Sequence, residues 1–327
     1  MLRRPDGIEK AMTALFTDAI CRQHDPGSGH PESPMRYDAV LAGLAETGNR
    51  RPESGKKGGK AATREDLLLV HTAGYLDLAE AEIRAGESQL STGDTSICPA
   101  TWDAALGAAG CAMAAVDAVM GGQAVNAFCV VRPPGHHASA DRGMGFCVLN
   151  NVALAARHAQ RRHGIERVLI VDWDVHHGNG TQDVFYKDGS VFFFSTHQAP
   201  WYPGTGRASE TGSGAGVGAT LNCPLPAGSR RAEIFEAFEK KLIPAADAFR
   251  PNLVLISAGF DSRIGDPLGD FTLTDSDFAD LTHLVMEIAK KHCGGRVVSM
   301  LEGGYNLSGL ASAAAAHVGA LRGNYEG

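Results

Sequence analysis

Short apolar runs alternate along this chain with longer segments of helical periodicity. Ala127–Val131, Val168–Val171, Leu253–Ile256 and Val297–Met300 are apolar almost throughout and rich in β-branched residues or Leu. Too short for helices, they predict strands buried on both faces, as in parallel sheets. Val191–Phe194 predicts another strand and Thr13–Phe16 an edge strand. Between them, Trp102–Met120, Val152–His163, Arg231–Phe249, Asp275–His292 and Ser308–Leu321 read as helices. Strand, helix, strand alternation predicts right-handed crossovers. The expected fold class is α/β, a predominantly parallel sheet with helices on both faces, in a single domain over residues 1–327.

The polar positions gather where the apolar runs stop. Glycine-rich turns follow four of the strands: RPPGHH (132–137), VDWDVHHGNG (171–180), SAGFD (257–261) and LEGGYN (301–306). They hold the chain's densest cluster of His, Asp and Tyr, at the carboxyl ends where open α/β sheets bind ligands. Asp174 and His176 are two apart, so at a strand end both are expected on one side. Asp261, in the same position after a different strand, would supply a third ligand. Three protein ligands with an open position describe a catalytic metal site. Two carboxylates and one imidazole are harder than the usual zinc set, so Fe²⁺ or Co²⁺ could substitute for Zn²⁺. A helix cap or a satisfied core histidine explains one such residue, not four turns at once.

Composition narrows the partners more than the fold. The 327 residues are 44% hydrophobic and 20% charged, ordinary for a globular protein, while 40 glycines imply many tight loops. A formal charge of -7 and a pI near 6.0 argue against nucleic acid or an anionic membrane as partner. No apolar run reaches 18 residues, so no spanning helix is expected. MLRRPDGIEK places Pro, Asp and Glu where a signal peptide needs apolar residues, and the protein is read as cytoplasmic. The seven cysteines are scattered without a CxxC pair, against a disulfide framework or a cysteine zinc site. Cys147 reads as a small buried hydrophobe. Arg51–Ala61 reads as a solvated basic loop. GSGAGVG (212–218) lacks the strand-turn-helix context of a dinucleotide fingerprint and is expected as a loop near the site mouth.

From HPESPMR (30–36) to LEGGYN (301–306), the linked motifs closely resemble the zinc-dependent histone deacetylase family, within the arginase/deacetylase superfamily. The resemblance implies Zn²⁺ on Asp174, His176 and Asp261. It makes His136 and His137 the tandem catalytic histidines, partnered by Asp172 and Asn179. Asn at 179, where another branch has Asp, makes the chain class II-like, of bacterial type. Tyr305 matches the phenol that polarises the substrate. A structural K⁺ is implied near the carbonyls of Asp172, Asp174, His176 and Thr196, with the Asp172 and Ser195 side chains. Gly145, Phe146 and Tyr202 match the walls of an acyl-lysine tunnel, and Leu268 and Gly303 complete the substrate-binding set. Arg36 matches an arginine near an acetate exit path, with a buried structural ion pair as the alternative.

The implied activity is metal-dependent removal of acetyl or another short acyl group from lysine in proteins or peptides. His137 would be the general base and proton donor, and His136 would act electrostatically. An arginase-like binuclear Mn²⁺ site is disfavoured, because Gly178 and Gly259 stand where its extra carboxylates belong. Acetylated polyamines are the alternative substrates. Leu268 stands where polyamine-selective class II relatives carry a gatekeeper Glu, which favours acyl-lysine or another small N-acyl amine. A non-catalytic acyl-lysine binding protein would show a broken ligand or base set, and none is broken here. A homo-oligomer follows from family analogy alone.

Overall fold

The computed structural model describes residues 13–46 and 59–323. Among the described residues seven strands form one sheet: β1 (Ala14–Thr17), β2 (Asn126–Val130), β3 (Val168–Asp172), β4 (Val191–Gln198), β5 (Thr220–Leu225), β6 (Leu253–Ala258) and β7 (Val297–Leu301). Their order is β1-β2-β7-β6-β3-β4-β5, and every neighbouring pair is parallel. Every residue of β2, β3, β4, β6 and β7 is buried, so helices cover both faces. This is why those strands read as continuous apolar runs rather than as alternation.

Strand order assembles the site. The turns RPPGHH, LEGGYN, SAGFD and VDWDVHHGNG follow β2, β7, β6 and β3, which are consecutive neighbours in the sheet. Four polar turns far apart in sequence therefore emerge side by side at one edge. Register carries this to single residues: Asp172 ends β3 opposite Ser257 of β6 and Ser195 of β4.

The helices Thr101–Met120, Asn151–His163, Asp275–Cys293 and Leu307–Leu321 match the expected ones to within a residue at each end. Two of them begin at side-chain caps that also close site turns. Asn150 Oδ1 accepts from Ala153 N at 2.9 Å, and Asn306 Oδ1 from Gly309 N at 3.1 Å.

Some expectations fail for local reasons. Arg231–Phe249 is not one α-helix: Arg231–Ala237 and Ile243–Phe249 are joined by a π-helical stretch, Phe238–Leu242. Pro244 has no N–H for the i→i−4 ladder, and the chain accommodates this by widening the preceding turn. β5 goes unrecognised in the sequence because it is polar in part and contains Pro224, which an edge strand tolerates. GSGAGVG lies at the other end of the sheet from the site. Ser213 N donates to the Tyr186 carbonyl at 2.8 Å, just ahead of β4. Among the described residues one helix, Thr101–Met120, is long and apolar enough to cross a membrane, and 72% of that apolar window is buried in the protein. Residues 51–58 of the basic segment, and the MLRRPDGIEK stretch, lie outside the described residues.

Candidate active site

Asp174, His176 and Asp261 converge. His176 Nδ1 lies 3.0 Å from Asp174 Oδ1 and 3.2 Å from Asp261 Oδ2, and all three residues are buried. The reason differs from strand alternation, because β3 ends at Asp172 and both Asp174 and His176 lie past it in a bend. Backbone donors fix that bend: His176 N to Asp174 Oδ1 at 2.9 Å, Asp174 N to Asp172 Oδ1 at 3.1 Å, and Val175 N to Asp261 Oδ1 at 2.9 Å. Gly303 N, from the β7 turn, donates to Asp174 Oδ2 at 2.8 Å.

Two buried carboxylates around one imidazole need positive charge between them. Burial opposes charge on His176, yet the carboxylates of Asp174 and Asp261 beside its Nδ1 outweigh it and lift its pKa to about 10. Burial, followed by the Asp174 charge, raises Asp261 to about 7. A divalent cation would supply the missing charge, and the donor set fits one. Asp261 Oδ2 is buried and accepts no well-formed hydrogen bond, with His176 Nδ1 beside it at 3.2 Å, and a bound cation would satisfy it. Space is kept for an ion by glycines. A Cβ on Gly303 would lie 2.0 Å from Asp261 Oδ2, and one on Gly259 would lie 2.1 Å from Asp174 Oδ2.

The tandem histidines lie beside this trio. His136 Nδ1 is 3.0 Å from Asp172 Oδ2 and His137 Nδ1 is 2.8 Å from Asn179 Oδ1. Both ring partners are acceptors, so each Nδ1 carries the proton and each Nε2 faces the site. Their electrostatics diverge. Burial disfavours the cation in both rings, but Asp174 and Asp172 outweigh it at His136 and hold that pKa well above the ordinary value. At His137 burial is reinforced by His136 and His176, and the pKa falls well below it. The backbone of the pair rests on Glu302, whose Oε2 accepts from Gly135 N at 2.6 Å and His136 N at 3.1 Å.

A pocket opens above the trio. His137 and His176 form its floor; Gly145, Phe146, Tyr202, Leu268 and Tyr305 its walls; Asp94 and Trp201 its rim. Phe146 holds a positive φ of 67°, unusual for a non-glycine residue, and its ring meets Tyr305 edge-on at 5.9 Å. Burial raises the Tyr305 phenol well above its usual range, so the hydroxyl stays protonated. Arg36 sits behind Tyr305, its guanidinium 4.8 Å from the ring centroid. It is fully buried, pairs with Glu32 at 2.9 Å and donates to the Gly304 carbonyl at 2.7 Å. Ser195 and Thr196 are buried on β4, with Ser195 Oγ 2.9 Å from His197 Nδ1. Gly303 lies under the trio rather than on the pocket wall.

Sequence reasoning missed the residues that hold others in place. Asp94 Oδ1 accepts from Gly145 N at 2.7 Å and from the Tyr202 hydroxyl at 3.1 Å, tying two walls together. Asp266 Oδ2 accepts from Tyr305 N at 2.7 Å and Asn306 N at 3.1 Å. Trp201, 42% exposed, donates Nε1–H to the Leu268 carbonyl at 2.9 Å. The GD pairs at 93–94 and 265–266 are turn signals that could have drawn attention to both acids.

Residues 30–321 match the family described as Histone deacetylase domain. The chain belongs to the histone deacetylase family. It is 43% identical over 312 residues to Histone deacetylase 14, chloroplastic, of Arabidopsis thaliana, covering 90% of this chain and 73% of that protein. It is 41% identical over 304 residues to Polyamine deacetylase HDAC10 of Homo sapiens, covering 90% of this chain and 45% of that one. A crystal structure of the HDA15 HD domain superposes with a TM-score of 0.89 at 38% identity, covering 95% of this chain and 89% of that one. The parallel sheet is thus the arginase/deacetylase fold. As a histone deacetylase family member the chain is a deacetylase-type hydrolase, and zinc is the family's usual metal.

Proposed function

We propose that this protein hydrolyses the acyl-amide bond of acetyl-lysine, or a similar short acyl-lysine, in proteins or peptides. The observation that carries the reading is the convergence of Asp174, His176 and Asp261, with the buried Asp261 Oδ2 accepting no well-formed hydrogen bond, below a pocket shared by His137 and Tyr305. Asp174, His176 and Asp261 would hold Zn²⁺, with Fe²⁺ or Co²⁺ as substitutes. Such a cation, when bound, polarises an amide carbonyl and makes water a usable nucleophile near neutral pH.

The chain's residues divide the remaining work. His137 Nε2, with Nδ1–H committed to Asn179, takes a proton from the attacking water as its oxygen bonds to the carbonyl carbon. Tyr305 donates its O–H to the carbonyl oxygen as charge develops there. The carbon–nitrogen bond then breaks, and His137 returns the proton to the leaving amine. His136, tied to Asp172, keeps its positive charge and stabilises the same oxyanion electrostatically. Phe146 and Tyr202 flank the lysine methylenes, with Leu268 beside them.

The reading includes a structural K⁺ beside Asp172, with the Ser195 side chain and the carbonyls of Asp174, His176 and Thr196. It also places the protein in the cytoplasm, although two relatives are named as chloroplastic. One name among the relatives specifies polyamines, and the rim carboxylate of Asp94 could face a distant ammonium. Lysine is favoured because Leu268 is apolar.

The test is amine release from an acetyl-lysine peptide and an acetylated polyamine side by side, with chelator and Zn²⁺ add-back. Chelator-sensitive turnover of the peptide, restored by Zn²⁺, is expected. Preference for the polyamine overturns the choice of substrate, and no turnover of either overturns the catalytic reading.

A further inference from the structure

A second group of metal-type ligands lies on the surface, away from the candidate active site. Asp117 belongs to the Thr101–Met120 helix, and His158 and His163 to the Asn151–His163 helix packed beside it. Both imidazoles turn the same atom, Nε2, onto one carboxylate oxygen. His158 Nε2 is 2.8 Å and His163 Nε2 2.6 Å from Asp117 Oδ1. The three ligand atoms all lie within 4.8 Å of one another. The histidine side chains are 14% and 21% exposed and Asp117 is 41% exposed, so the cluster is held by packing yet reachable from solvent.

We infer that Asp117, His158 and His163 form a second divalent-metal site that clamps the two helices together. The chemistry of the donors selects the ion. Two imidazoles and one carboxylate favour Zn²⁺ or its borderline neighbours over Mg²⁺ and Ca²⁺. A tetrahedral Zn²⁺ with bonds of about 2.0–2.1 Å spaces its ligand atoms about 3.3 Å apart. The two histidine–carboxylate contacts need to open by about 0.5 and 0.7 Å to reach that spacing. Each ring proton moves from Nε2 to Nδ1, so a neutral pair of rings releases no net proton.

The surrounding field favours a cation independently of the ligand count. Asp117 lies in the last turn of its helix, which ends at Met120 and has no basic residue in that turn. His163 is the last residue of the other helix, closed by Gly164 in the left-handed conformation at φ 65°. Two helix C-termini, each carrying partial negative charge, thus meet at an acidic side chain, and Arg161 and Arg162 in the last turn of the second helix offset part of that charge. Arg162 is the competitor: its Nε lies 3.4 Å from Asp117 Oδ1. That side chain is 65% exposed and can turn into solvent when an ion takes its place.

The difference between wild type and a variant isolates this site, whether or not the active-site trio holds metal. Wild type, His163→Asn and His158→Asn, all as the full chain, are equilibrated with Zn²⁺ by dialysis, and bound zinc is counted. Each variant should bind one equivalent fewer than wild type and keep its deacetylation rate. Equal counts in all three proteins would overturn the site. A second readout covers a variant that folds poorly. Added Zn²⁺ should raise the Tm of wild-type protein by linkage, and this shift should shrink in Asp117→Asn. An undiminished shift in Asp117→Asn again overturns the inference.

Discussion

Asn179 is a neutral acceptor for His137 Nδ1, and that neutrality sets the state of the ring. A neutral amide oxygen fixes the tautomer without adding negative charge, so burial and the neighbouring His136 and His176 keep the His137 pKa well below 6.5. A bound cation acts in the same direction. The acid limb of kcat/KM should therefore lie below pH 6.5. Asn179→Asp should move it to higher pH, because a carboxylate stabilises the imidazolium and the base then frees its nitrogen only at higher pH. A pH–rate profile of the two proteins checks this; an unmoved limb would remove His137 from the base role. Tyr305→Phe removes one oxyanion donor and should lower kcat by ~10²–10³. Metal content and KM should be retained, as steady-state kinetics and metal analysis would record. Residues whose side chains do chemistry were legible in the sequence because His, Asp and Tyr in glycine-rich turns have few bland explanations. Asp94, Asp266 and Glu302 were not, because they act by accepting backbone N–H groups, and a sequence does not say which backbone donors will face them.

Glycines in the turns are space reserved for something else, a property of the element rather than of any one side chain. A Cβ on Gly303 would lie 2.0 Å from Asp261 Oδ2 and 2.6 Å from Asp174 Oδ2. Gly303→Ala should leave the strand β7 and the fold intact, since alanine is well tolerated by ordinary backbone. It should push the two carboxylates apart, lower metal content and abolish turnover. Metal analysis with circular dichroism separates these effects; full metal occupancy in the variant would show that the turn has room to spare. At this scale the elements themselves were legible where burial is uniform, as in β3 and β6, and where periodicity is long, as in Asp275–Cys293. They were not legible where a single proline changes the hydrogen-bond ladder. Pro244 widens a helix that still looks periodic, and Pro224 sits in an edge strand that looks like a loop.

Strand order was the part of the whole molecule that the sequence withheld, since apolar runs specify strands but not which strands pair. β2 lies beside β7 only in the folded sheet. The same packing has a consequence for acid stability. His71, His197 and His317 are buried, and burial lowers their pKa values to about 4, 4 and 3. Each has neutral partners: His317, for example, lies 2.7 Å from Thr282 Oγ1 and 2.8 Å from Ser299 Oγ. In the unfolded chain a histidine titrates near 6.5. Above that pH neither state is protonated, and the three residues contribute no slope. As pH falls from 6.5 towards 4 the unfolded chain binds protons that the folded one refuses, so stability falls. His137 and His177, also held well below the ordinary value by burial, add to the loss. Glu302, raised by burial to about 7, works the other way over the same range, and so do Asp172, Asp183 and Asp266, whose carboxyls burial also raises; five imidazoles stand against these four acids. The five buried imidazoles should therefore make the urea midpoint of metal-loaded protein decline between pH 6.5 and pH 4. His317→Gln, which keeps hydrogen-bonding capacity without a titrating group, should decline less steeply. A midpoint that holds or rises on acidification would mean that the raised carboxylates outweigh the imidazoles, and an unchanged slope in the variant would mean that His317 accepts its proton in the folded state.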